Sequence, residues 1–209
     1  MTSPAAARVP QEERTRAMRQ RLMDATVELL VEKGFGGTTT TLVSERAGVS
    51  RGAQLHHFPT KNDLVVAAVS HLTAIRGSDL EAAVAKLPQG RGRTEAVVQM
   101  LGEHFASPVF TAALELWVAA RTDPSLHEAV GPLEQHVGRE THRLTVELLG
   151  VDETRPGARE LVQATLDLVR GLGLANTLGD DARRRRRILR EWARTLDAAL
   201  ARTSAPEKG

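Results

Sequence analysis

Between two long helical stretches, the segment AGVSRGAQLHHFPTKNDL, Ala47 to Leu64, crowds together two glycines, a serine, a proline and two adjacent histidines. Upstream, in RLMDATVELLVEKG, Leu22, Ala25, Thr26, Leu29 and Leu30 recur at three- and four-residue intervals. That spacing puts them on one face of a helix of about five turns, with Asp24, Glu28 and Glu32 opposite and Gly34 as its stop. TTTTLVSERAG predicts a short second helix, threonine-capped and ended by Gly48. Ser50 can cap a third, from Arg51 to about His57, which Pro59 stops. Thr60 and Asp63, in the order Thr-x-x-Asp, open a long fourth helix through NDLVVAAVSHLTAIRGSDLEAAVAKL. Two short helices joined by a tight Gly-Val-Ser turn, in which Gly48 relieves the backbone and Val49 plugs the angle, have the pattern of a helix-turn-helix. The second of them is then the recognition helix.

Beyond the PQGRGR linker the chain divides at its own punctuation into five further helical segments. They are roughly Thr94 to Ala106, Pro108 to Arg121, Pro124 to Leu149, Pro156 to Leu178 and Asp181 to Ala201. No β-alternating run interrupts them, so the expected class is all-α with about nine helices. With 209 residues and 41% hydrophobic content the chain can bury a real core. The ends, residues 1–10 and 204–209, read as a disordered arm and tail; residues 11–65 read as one unit and 66–203 as a second. The sequence pI near 9.5 is no nucleic-acid signal, because the net charge is only +2 and a chain without Cys or Tyr has almost nothing to titrate between His and Lys. Zero Cys excludes disulfides and thiolate metal sites and suits a reducing cytoplasm. Neither an apolar leader nor a run of about 18 apolar residues occurs, so a cytoplasmic chain with no membrane partner is expected. There is no phosphate-binding glycine loop and no nucleophile elbow, and no catalytic residue is assigned.

With its flanks, FGGTTTTLVSERAGVSRGAQLHHFPTKNDL resembles the DNA-binding segment of the tetracycline-repressor (TetR) family of bacterial transcriptional regulators. The shared features, in order over about residues 12 to 66, are Gly34-Phe35, the threonine run, Ala47-Gly48-Val49-Ser50, Gly52, His57-Phe58, Thr60-Lys61 and Leu64. The resemblance implies a helix-turn-helix domain on double-stranded operator DNA, with C-terminal helices that bind a small-molecule effector and form a homodimer.

Thr39 and Thr40 stand where a hydroxyl and free backbone N–H groups can meet a phosphate, or where one of them only caps the helix. Arg51 can reach guanine O6 and N7, the alternative being a solvated arginine; Gly52 lets the backbone approach DNA. Gln54 can read adenine or merely face water, with Ala53 and Leu55 as further places to seek base readout. His57 and Lys61 match family positions that contact the sugar-phosphate backbone, with Lys61 the expected phosphate contact, while Phe58 packs against the first and fourth helices. The chain departs from the family at Gln54-Leu55, where an apolar residue followed by an aromatic is usual. Leu55 therefore offers only apolar contact, as to a thymine methyl, and Thr41 is short where some relatives carry a base-contacting Arg.

In VVQMLGEHFASPVFTAALELWVAARTD, Met100, His104, Phe105, Phe110, Leu114 and Trp117 hold much of the sparse aromatic content. They are either ordinary core or the walls of a ligand pocket in which His104 is the polar handle. His136, Glu140 and His142 lie on different helical faces and lack a third convergent ligand, so no metal and no cofactor is expected. The run Arg183 to Arg187 reads as a solvated face with some pairing to nearby acids. Leu161, Leu168 and Leu172, with Ile188, Trp192 and Leu196, repeat at helical spacing on the last two helices and are either a four-helix dimer interface or intramolecular core. The leading expectation is a homodimeric regulator, a repressor, released from a palindromic operator by a small molecule. The alternatives are a helical enzyme or carrier using the same aromatic cluster, and a constitutive architectural DNA binder.

Overall fold

The computed structural model describes residues 11–204, leaving aside the side chains of Leu72, residues 74–82 and residues 203–204. The arm 1–10 and residues 205–209 of the tail lie outside the described residues, and Ser204, placed by sequence in the tail, ends the last helix. Among the described residues there is no strand, and nine α-helices follow one another. They are α1 (Gln11–Gly37), α2 (Thr40–Ala47), α3 (Arg51–His57), α4 (Lys61–Val84), α5 (Arg93–Phe105), α6 (Pro108–Ala120), α7 (Pro124–Leu149), α8 (Ala158–Ala175) and α9 (Ala182–Ser204), with one 3-10 turn, Asn176–Leu178, before the last.

The caps expected from sequence form these ends. Thr39 accepts the Leu42 N–H, Ser50 accepts the Ala53 N–H, and Gly48 closes α2 in the left-handed region with φ 62°. Thr60 and Asp63 form a reciprocal box: the Thr60 N–H donates to the Asp63 carboxylate at 3.1 Å, and the Asp63 N–H donates to the Thr60 hydroxyl at 3.0 Å. Gly34 breaks α1 as expected, with φ 66° and ψ 177°.

Three apolar clusters hold the fold. The first, Leu22, Leu29, Val43, Val49, Phe58 and Leu64, packs α1 to α4 around the short helices. Phe58 is 3% exposed, against α1 and α4 as its place in the sequence suggests. The second, with Leu30, Val65, Leu116 and Leu126, binds α1 and α4 to α6 and α7. The third, with Leu101, Phe105, Phe110, Val162, Leu189 and Leu196, joins α5 to α9. In that core α8 runs so close to the end of α5 that any side chain on Gly173 would strike the Phe105 carbonyl. The helix α4 passes through residues 65 and 66 without a break, so the edge drawn there from sequence falls within a helix.

Two expectations about charged and apolar stripes are corrected. Leu172 and Leu196 are 5% and 0% exposed within the chain's own core, so they are not surface available to a partner. Leu161, Leu168, Ile188 and Trp192 are half-buried against that core, and the Trp192 indole N–H donates to the Thr165 hydroxyl at 3.0 Å. Within the arginine run, Arg185 is 8% exposed rather than solvated; its guanidinium holds Asn176 at 2.8 Å and Asp181 at 3.3 Å, tying the 3-10 turn to α9. Arg184 pairs with Asp181 at 2.8 Å, and Arg183, Arg186 and Arg187 are exposed.

Candidate functional site

Helix α3 is short enough that its two faces can be assigned residue by residue. Residues four apart share a face, and the rows are clear: Gln54 and Phe58 are buried, whereas Arg51 and Leu55 are exposed, Leu55 at 45%. Gly52 and His56 are exposed as well, and a Cβ at Gly52 would meet nothing within 4 Å. Ala53 is half-buried against the first cluster. On α2, Thr41 is exposed and Thr40 half-buried, while the Thr39 hydroxyl oxygen is already used as the cap.

Gln54 is thus the reverse of a base reader. It is fully buried, and its amide donates to the Phe58 carbonyl at 2.8 Å, closing the end of α3. The signal was in the sequence: an apolar residue is usual at this position in the family it resembles, which marks a core place.

Lys61 has a contact that its place in the sequence does not show. Its ammonium donates to the Phe35 carbonyl at 2.6 Å and lies 3.8 Å above the Phe35 ring, and burial pulls its pKa below the usual lysine range. One of the three ammonium donors is thereby taken up at the terminal turn of α1. His57 is half-buried, and burial, followed by the charges of His56 and Arg19, holds its imidazole below the ordinary value. Arg19, which sequence reasoning passed over, sits at the end of α3: its guanidinium reaches the His57 carbonyl at 3.4 Å and lies 4.5 Å from the centre of the Phe58 ring. A cation at a helix C-terminus is stabilising, and only tertiary packing brings this one there.

A cavity of two adjoining lobes lies between α4, α5, α6, α7 and α8. Of the six residues expected there, His104, Phe105, Phe110 and Trp117 line it, and Phe105, Phe110 and Trp117 follow one another edge to face at 5.2 and 5.8 Å. Met100 and Leu114 do not line it: Met100 packs against the third cluster, one turn from His104 on the core side of α5. Phe105 and Phe110 are also 5% and 6% exposed, so the same side chains form the cavity wall and part of the core. Missed from sequence were Thr73, Ala113, Glu134, Thr141 and Arg170, which converge from four different helices with no local motif. Glu134 lines both lobes, and burial lifts its carboxyl above the usual range, with Arg170 acting weakly the other way. The larger lobe encloses about 60 Å³. That is less than the roughly 150 Å³ that admits benzene, so a ligand of ordinary size must push these helices apart.

The two sites are joined through α6. Its Glu115 carboxylate accepts the Phe35 N–H at 3.0 Å, while Ala113 and Trp117, two residues to either side and so on the opposite face, line the cavity. Among the described residues no group of three His, Cys, Asp or Glu is placed to hold a metal, and His142 is paired with Glu153 at 2.7 Å. No helix among the described residues is long and apolar enough to cross a membrane.

Residues 22–68, from α1 through the helix-turn-helix into α4, match the family described as bacterial regulatory proteins, tetR family. The chain is 33% identical over 187 residues to the HTH-type transcriptional regulator CymR of Pseudomonas putida, covering 85% of this chain and 88% of that one. It superposes on a putative transcriptional regulator from Pseudomonas aeruginosa PAO1 with a TM-score of 0.69, at 26% identity over 94% of this chain and 96% of the other. It also resembles the multidrug binding protein EbrR complexed with imidazole, with a TM-score of 0.54 and 25% identity over 83% and 93% of the two chains. An exposed recognition helix on a packed three-helix unit, continued by a helical domain with a cavity, agrees with all three likenesses: the chain belongs to the tetR family of bacterial regulatory proteins, which are DNA-binding transcription regulators and not enzymes.

Proposed function

We propose that this protein is a repressor that binds a palindromic operator as a homodimer and releases it when a small molecule enters the cavity. The observation that carries the reading is the pairing of the exposed Arg51 and Leu55 face with the Glu115 bond from the cavity wall to the Phe35 turn. Arg51 reads a guanine edge, Gly52 and Leu55 allow close approach and apolar contact, and Thr40 and Thr41 with the α2 N-terminus meet phosphate. His57 is a backbone contact that takes up a proton when phosphate approaches, because a nearby anion favours its charged form. The protein works in the cytoplasm, where bacterial DNA lies.

The dimer forms on the outer face of α8 and the 3-10 turn that follows it, where Ala164, Leu168, Gly171, Ala175 and Leu178 recur at three- and four-residue steps. Leu178 is 96% exposed and Leu174 53%, a cost in water that burial against a symmetry mate removes. Leu161, Ile188 and Trp192 border this stripe. In such a dimer two recognition helices must stand about 34–36 Å apart to enter successive major grooves. Ligand that spreads α6 from α7 moves Glu115, and with it the α1 turn and the start of α4, which changes that separation. EbrR, a binder of many drugs, supports the assignment of the cavity to an effector. DNA selected by the protein from a random pool should carry inverted half-sites, and recovery of unrelated sequences overturns the reading.

A further inference from the structure

The cavity has a chemical polarity of its own. Glu134 lines both lobes, and among the described residues no Lys, Arg or His comes within ion-pair distance of it. The hydroxyl hydrogens of Thr73 and Thr141 are spent inside their own helices, on the Val69 carbonyl at 2.9 Å and the Val137 carbonyl at 2.8 Å. Both threonines therefore present acceptor oxygens to the cavity. The smaller lobe, walled by Val69, Ala113, Trp117, Leu133 and Val137, has Glu134 and Thr73 as its polar side chains and no cationic one. Arg170 borders only the larger lobe and is already engaged: its guanidinium donates to Asp167 at 3.0 Å and lies 5.6 Å from the centre of the Phe105 ring. An anion entering here would meet the Glu134 charge and find Arg170 balanced by Asp167. A cation would find a carboxylate held in no ion pair, acceptor oxygens and an indole.

We propose that the effector is an organic ammonium cation, its charged nitrogen seated against Glu134 in the lobe beside Trp117 and Leu133, with an apolar body reaching toward Phe105 and Phe110. This rests on the reading of the cavity as an effector site. Burial disfavours the charged form of Glu134 and a cation beside it favours that form, so the charge that is costly in the empty cavity becomes the one that selects.

The test uses the full-length chain and thermal melts with 2-phenylethylammonium, benzyltrimethylammonium and tetraethylammonium, set against phenylacetate and 2-phenylethanol. At least one ammonium ion should raise the melting temperature saturably, and phenylacetate should not. Glu134→Gln should weaken that ammonium by about tenfold or more, because a partly buried charge has lost its partner. Arg170→Gln should leave its affinity unchanged or tighter. Protection by phenylacetate in place of the cations, equal ammonium affinity in Glu134→Gln, loss of ammonium binding in Arg170→Gln alone, or no protection by any of the three cations overturns the proposal. A gel shift on selected duplex without probes runs alongside. Selective DNA binding with no ammonium response removes only the ligand class, whereas absence of selective DNA binding removes the regulator reading itself.

Discussion

The Glu115 carboxylate on α6 accepts the backbone N–H of Phe35 at 3.0 Å, across 80 residues of sequence. On the other side of the same turn Lys61 binds the Phe35 carbonyl, so both polar groups of one peptide residue are held, one by α6 and one by α4. Gly34 makes the approach possible, since a Cβ there would lie 2.7 Å from the Glu115 oxygen and the residue has φ 66°.

Removing this bond should separate the two sites. Glu115→Ala leaves a half-buried N–H without an acceptor, and urea unfolding should show a loss of about 1–3 kcal/mol. Ligand should still bind the variant but no longer change its operator affinity. A full ligand response in Glu115→Ala, measured by gel shift, contradicts coupling through α6.

Gln54 gives a prediction opposite in kind to that of a base-reading residue. Gln54→Ala removes a fully buried side chain and leaves the Phe58 carbonyl without its amide donor. The expected outcome is a stability loss of about 1–3 kcal/mol with the preferred DNA sequence unchanged. An altered base preference in a variant of wild-type stability would return Gln54 to the DNA face.

Two leucines separate interface from core. Leu168→Glu, on the outer stripe of α8, should give a folded monomer by sedimentation with weak operator binding, because each half-site is then held alone. Leu196→Glu, at a position with 0% exposure, should fail to fold, since the charge has no route to water. A dimeric Leu168→Glu sinks the assigned interface.

The pH dependence of Glu134 follows from the direction of its shift. Burial raises its pKa in the folded chain, so the folded state binds that proton more tightly than the unfolded state does. This stability is therefore present at acid pH and is lost as pH rises through the raised value. Glu134→Gln should be more stable than wild type at neutral pH, and the difference measured by denaturant unfolding should grow as pH rises from about 4 through the raised value and then level off. A difference that is constant or shrinks contradicts the burial of this carboxyl.

What was legible in the sequence was local. Thr39, Ser50, Gly48 and the Thr60-Asp63 box announce helix ends because a cap needs only its near neighbours, and each one forms. Periodicity found the apolar side of each helix but could not say whether that side meets the same chain or another, and so Leu172 and Leu196 were grouped with Leu168. The bond of Lys61 was not legible because its partner, the Phe35 carbonyl, lies 26 residues away and carries no side-chain signal. The aromatic half of the cavity was visible as a cluster on α5 and α6. Glu134, Thr141 and Arg170 were not, since α7 and α8 bring them there only after folding.

The most direct test of the account is Arg51, the exposed first residue of α3. Wild type and Arg51→Ala are titrated against the selected operator and a scrambled duplex at several salt concentrations. Loss of a base-edge contact should cost roughly 1–3 kcal/mol on the operator and much less on the scrambled duplex, relaxing the preference at one position in each half-site. Equal weakening on both duplexes, with a salt slope reduced by about one unit for each subunit, would make Arg51 a phosphate contact and contradict base reading by the start of α3.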